Sequence, residues 1–129
     1  MSVVRRAGSY SVNLLPRPVV FSVSEARRAL PYVARAVRDI CDGYQTAQRC
    51  RAALAQRPDL ARQEWLVYER DSALRQLNRA IDECDAVGAE VTDISTGSIR
   101  FEARTRGRAV SLLWRIDEPT TGAWADLID

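Results

Sequence analysis

The chain has no histidine and no lysine, so its nineteen basic residues are all arginine. Without histidine, Ser-His-Asp and Cys-His nucleophilic catalysis, imidazole acid–base chemistry and His-ligated zinc are excluded. Without lysine there is no Schiff base and no ordinary phosphate-loop lysine. Catalysis would fall to carboxylates, Arg, Tyr, Ser, Thr or Cys, and no catalytic residue is assigned. Cysteine is scarce too. Cys41, Cys50 and Cys84 are an odd number without pair spacing, and nine residues on a helix put Cys41 and Cys50 half a revolution out of phase. They read as buried free thiols in a reducing cytoplasm, and neither a metal nor a cofactor is assigned. The opening "MSVVRRAGSYSVNLLPRPVV" lacks the continuous apolar run of a signal peptide, and nothing reaches membrane-spanning length. A cytoplasmic protein without a membrane partner is expected.

Charge of one sign is also lacking. The net charge of +2 gives no bulk electrostatic argument for nucleic acid or a membrane surface. At 129 residues the chain fits one domain with a real core. Residues 1–20 read as a flexible arm with Arg5, Arg6, Pro16, Arg17 and Pro18, and residues 21–129 as the single domain.

From Phe21 the pattern becomes helical. Ser22 to Glu25 forms a capping-box sequence. Behind it Leu30, Val33, Val37, Ile40, Tyr44, Ala47 and Leu54 recur at heptad-like spacing, with Ala34 and Cys41 widening the stripe. This predicts a long amphipathic helix to about residue 56, kinked near Pro31 or restarting there. "QRPDL" breaks it, and Pro58-Asp59 starts a second helix to about residue 87. Its apolar side is expected to carry Leu60, Leu66, Val67, Ala73, Leu74, Leu77, Ala80, Ile81, Cys84 and Val87, with Gly88 as the left-handed residue after it. A short connection makes the two helices an antiparallel, coiled-coil-like hairpin. The first helix is arginine-rich and the second acid-rich, which predicts complementary flanks.

After Gly88 the period changes to two. "EVTDI" predicts a short strand. Ile99, Phe101 and Ala103 alternate with Arg100 and Glu102, "RTRG" turns the chain, and Val110, Leu112, Trp114 and Ile116 share one face. A small C-terminal antiparallel β-ribbon with one apolar face follows, which must lie on the helices or on another subunit. The fold class is α+β, predominantly α.

The residues now assembled resemble a bacterial family catalogued as domain of unknown function family 2203. The resemblance rests on Phe21, Ser22, Glu25-Ala26 and Leu30-Pro31, then Gly97, Ile99 and Phe101, Gly107-Arg108 with Val110 and Leu112, Trp114-Arg115, Glu118-Pro119 and Trp124. It covers roughly residues 21–128. It implies an architecture and no activity, because the family is uncharacterised. The chain departs from the pattern at Leu113, where a Cys is common, at Asp117, where a Gly is usual, and at Ala125, where a His usually follows the second Trp. The Gly/Phe-rich tail is missing as well. These departures speak against an enzyme.

Three groups are candidate sites. Trp114 and Trp124 suit an aromatic wall for a planar ligand or a nucleobase, although period two places Trp114 in the core. Arg115, Asp117 and Glu118 suit an anion, acid–base work or a hard cation, against the simpler reading of a salt-bridged turn stopped by Pro119. Trp65 and Tyr68, three apart beside the stripe, and Tyr44 on the first helix are candidate interface residues. Arg70 falls in the stripe itself, either buried and paired or marking a slip in register. The leading expectation is a non-enzymatic interaction or assembly module, a homo-oligomer such as a homodimer through the hairpin or the ribbon. The alternative is a small-ligand (anion or metabolite) binding protein or accessory enzyme subunit using the Trp-Arg/Asp-Glu-Pro segment. Nucleic acid, through the Arg-rich first helix and the N-terminal arm, is the least expected partner, because the net charge is near neutral and the second helix is acidic.

Overall fold

The computed structural model describes residues 9–12 and 21–127. Arg5, Arg6, Pro16, Arg17 and Pro18 of the expected arm lie outside the described residues. Four residues of that arm form a strand, β1 (Ser9–Val12), paired antiparallel with the C-terminal ribbon. A two-residue strand, β2 (Phe21–Ser22), leads into helix α1 (Val23–Ala55). Ser22 is its N-cap, and its Oγ accepts from the Glu25 amide at 3.1 Å, one half of the expected capping box. The helix runs unbroken through Pro31, so the chain does not restart there. Pro31 is exposed while Leu30, Val33, Ala34 and Val37 around it are buried, so packing of the inner face holds the helix across the missing donor.

Gln56 caps α1, and Arg57 takes a left-handed φ of 53°. Asp59 then starts helix α2 (Leu60–Ala86), its Oδ1 accepting from the Arg62 amide at 2.9 Å. The expected left-handed Gly88 follows with φ 83°. The helices meet closely at Gly43, where an added Cβ would stand 2.8 Å from the Ala73 carbonyl oxygen and 3.1 Å from the Leu77 Cβ.

Two expectations for the hairpin fail. Leu66, Ala73, Leu77, Ala80 and Cys84 are buried, whereas Leu60, Val67 and Leu74 are 68%, 37% and 39% exposed. At about 100° per residue the last three lie roughly a quarter turn around the helix from the buried line, forming a second stripe of their own. Arg70 lies between, part-buried, with its Nε donating to Asp71 Oδ1 at 3.1 Å. The expected charge pairing is also absent. Among the described residues no ion pair joins α1 to α2, so apolar packing at the Gly43 approach holds the helices together.

The sheet follows. Strand β3 (Ala89–Asp93) and the hairpin of β4 (Ser98–Thr105) and β5 (Arg108–Arg115) are antiparallel. Arg106 and Gly107, at φ 51° and 76°, make the two-residue turn whose twist suits a hairpin. The order is β1-β5-β4-β2, with β3 also on β4 and β2 parallel to it. Ile99, Phe101, Ala103, Val110, Leu112 and Trp114 are at most 2% exposed and share one core with Val23, Ala26, Leu30, Val33, Val37 and Ile40 of α1 and Leu77, Ala80 and Cys84 of α2. The apolar face of the ribbon is therefore covered by its own helices. On the other face Arg100 pairs with Glu90 and Glu102, and the Ser111 hydroxyl donates to the Glu102 carboxylate. Among the described residues no helix is long and apolar enough to cross a membrane.

Candidate functional site

Period two puts Trp114 in the core and Arg115 on the outer face of β5. Trp114 is 2% exposed, and its indole N–H donates to the Pro119 carbonyl at 3.3 Å. Trp124 is fully buried in the short coil after Gly122, with a left-handed φ of 54°. Its N–H donates to the Leu113 carbonyl at 3.0 Å, and its ring stands edge-on to Phe101 at 5.9 Å. The two indoles fasten the chain end to β5 from the core side and share no open wall.

Between them the chain turns at Ile116–Glu118, with the Glu118 amide bonded to the Arg115 carbonyl at 2.9 Å. Arg115 Nε donates to Asp117 Oδ1 at 2.6 Å. That bond, more than burial opposes it, holds the guanidinium further into its charged range. A cleft of about 200 Å³ opens on the outer face, lined by Thr92, Ser98, Ile99, Leu113, Trp114, Arg115 and Glu118. Of the five residues singled out in the sequence, the cleft brings together Trp114, Arg115 and Glu118. Asp117 lies beside it, exposed, and Trp124 lies beneath the sheet. Asp117 and Glu118 thus diverge and make no paired-carboxylate site.

Thr92, Ser98 and Leu113 were missed. Ser98 sits opposite Arg115 in the ladder and Leu113 opposite Arg100, so the alternation that put Arg115 outward already carried the signal. The turn beyond the cleft is held by Asp93, whose Oδ1 accepts from the Ser95 amide, the Ser95 hydroxyl and the Thr96 amide. These bonds pull its carboxyl below the ordinary Asp range, and the pattern Asp-x-Ser is a readable Asx turn. Chemically the cleft offers one guanidinium, one carboxylate and two hydroxyls. The Thr92 hydroxyl is already bonded to the Ser98 carbonyl and the Ser98 hydroxyl to Thr96. The groups suit a small polar guest and provide no activated nucleophile.

The candidate interface residues lie elsewhere. Trp65 and Tyr68 are 51% and 62% exposed on α2 and stack at 6.1 Å. Tyr44 is part-buried against the core, its hydroxyl accepting from Gln48 Nε2 at 3.4 Å, so it does not extend that exposed surface.

The thiols are free. Burial, reinforced by Asp85 and Glu83, raises the Cys84 thiol to about 11. Burial and then Asp42 raise the part-buried Cys41. Because the thiolate is the nucleophile, iodoacetamide at neutral pH is expected to leave Cys84 unlabelled until denaturant is added. Intact-mass spectrometry checks this, and rapid native labelling of Cys84 would show that the α2 end opens freely.

No curated protein and no solved structure matches the chain. A family model described as an uncharacterized conserved protein, DUF2203, matches residues 19–127. That span takes in both helices, β3 to β5 and the whole Trp114–Trp124 clasp, and the chain belongs to the DUF2203 family.

Proposed function

We propose that the protein is a non-enzymatic assembly module that associates with a second copy of itself through the outward face of α2. The carrying observation is the run of Leu60, Trp65, Val67, Tyr68 and Leu74, which are 37–68% exposed on one helix. Leu60, Val67 and Leu74 form one stripe, with Tyr68 and then Trp65 further round the helix at about 100° per residue, and exposed apolar side chains gathered on one element mark a contact surface. The ribbon offers no comparable surface, because its apolar face is spent within the chain.

Two features favour a copy over a foreign partner. Leu60, Val67 and Leu74 recur every seven residues, the repeat of a two-helix seam. The flanking charges Asp59, Arg62, Glu64, Glu69, Arg70, Asp71 and Arg75 nearly balance, so two such faces meet without bulk repulsion. Three free thiols fit a reducing cytoplasm.

Sedimentation velocity at micromolar concentration is expected to show a dimer. Val67→Asp is expected to weaken it at least about thirtyfold, the effect of burying an unpaired charge worth about 2 kcal/mol or more in the middle of the Leu60–Leu74 stripe, with unchanged helical circular dichroism. A wild-type chain that sediments as a monomer throughout would sink the proposal.

A further inference from the structure

The arginines of α1 are the charges the fold leaves unused. Arg27, Arg28, Arg35 and Arg38 are exposed, and among the described residues none forms an ion pair, although an acid-rich helix lies alongside. At about 100° per residue the four fall within roughly a quarter of the helix circumference and span roughly 16 Å of its length. Tyr32, 45% exposed, stands one turn from both Arg28 and Arg35. Glu25 precedes the cluster and Asp39 and Asp42 follow it, so the basic stretch is bounded at both ends. At its base Arg27, Arg28 and Ser24 face Thr120, Thr121 and Gly122 across a concavity of about 390 Å³ whose lining holds no carboxylate. The first turn of α1 adds its positive dipole end there.

We infer that this face of α1 binds single-stranded nucleic acid, with the arginines on successive phosphates and Tyr32 stacked on a base. The near-neutral net charge does not oppose this, because it averages a basic face with the acids of the other helix. Phosphodiesters fit the donors: guanidinium forks grip phosphate oxygens bidentately, and an aromatic ring among cations is the arrangement that holds unpaired bases. A duplex hides its bases and would leave Tyr32 idle. The surface lies on the other helix from the proposed dimer contact, so each proposal can fail alone.

The test is fluorescence anisotropy of the full chain with a labelled single-stranded DNA oligonucleotide and with the duplex of the same sequence. The single strand is expected to bind more tightly than the duplex. Affinity should fall about fifty-fold between about 50 and 200 mM salt, as four neutralised phosphates on a single strand dictate. Arg35→Gln/Arg38→Gln should cut that loss to about sevenfold, and Tyr32→Ala should weaken binding at least about fivefold. Arg108→Gln, an exposed arginine on β5, should change nothing. Absence of binding at about 50 mM salt, equal affinity for the duplex or for polyglutamate, or insensitivity to the Arg35/Arg38 pair would each overturn the inference. Melting curves matching wild type keep every variant interpretable.

Discussion

Trp124→Ala is expected to lower the stability of the domain by about 4 kcal/mol, the range of buried Trp-to-Ala truncations. The ring is fully buried, edge-on to Phe101, and its N–H holds the Leu113 carbonyl at 3.0 Å. Its removal leaves a cavity on the core side of β5 and takes away the donor in one step. The left-handed φ of 54° sharpens the case. A tryptophan adopts that conformation at a cost, and only burial of the ring offsets it. Residues 120–127 are otherwise held by a turn from Thr120 to Ala123, the bonds Ala125 to Gly122 and Leu127 to Trp124, and the packing of the small Ala123 and the part-buried Leu127 on the core. A single domain has about 5–15 kcal/mol in total, so the variant should melt far below wild type, or fail to fold at growth temperature. Trp124→Phe keeps most of the packing and loses the donor, and should cost about 1–2 kcal/mol. Urea unfolding of both variants separates the contributions. A loss under about 1 kcal/mol for Trp124→Ala would mean that the chain end does not close the core.

The same clasp shows what the sequence made legible. Alternation placed Trp114 inward and Arg115 outward, and Ser22, Asp59 and Gly88 marked helix ends because capping and left-handed turns are local chemistry. Which apolar stripe of α2 faces α1 was not local. Leu60, Val67 and Leu74 are as hydrophobic as Leu66 and Leu77, and only the close approach at Gly43 decides between the two stripes. β1 was illegible for a similar reason: its partner β5 lies about a hundred residues away, and a short polar strand has no periodicity of its own. Of the cleft, the sequence marked Arg115, Glu118 and Trp114 but also included Asp117 and Trp124, since proximity in sequence cannot tell the two sides of a turn apart. Net charge hid the most. It cancelled a basic face against an acidic helix to which, among the described residues, no ion pair joins it.

Gly97→Ala is expected to cost about 3 kcal/mol, and it tests whether the cleft is built on a close contact or merely on a turn. Gly97 has φ 66°, where any other residue gives up about 1–2 kcal/mol. An added Cβ would also stand 2.8 Å from Ile116 Cγ2, 2.9 Å from Ile116 Cβ and 2.9 Å from Cys41 Sγ. Overpacking of that kind costs about 1–3 kcal/mol more. Gly107 provides the control: its φ is 76°, yet an added Cβ meets nothing within 4 Å. Gly107→Ala should therefore lose only the conformational part, about 1–2 kcal/mol. The difference between the two variants isolates the contact. That contact matters for the site because the Gly97 carbonyl accepts from the Ile116 amide at 3.0 Å, and Ser98 pairs with Arg115 one step along. If Ile116 moves to admit a methyl group, Arg115 and Glu118 move with it. Cys41, bonded weakly to the Ile94 carbonyl in the same corner, should then become easier to alkylate in the native state. Equal losses for Gly97→Ala and Gly107→Ala, with Cys41 no more reactive than before, would mean that the corner yields freely and that helix α1 does not fix the floor beneath the cleft.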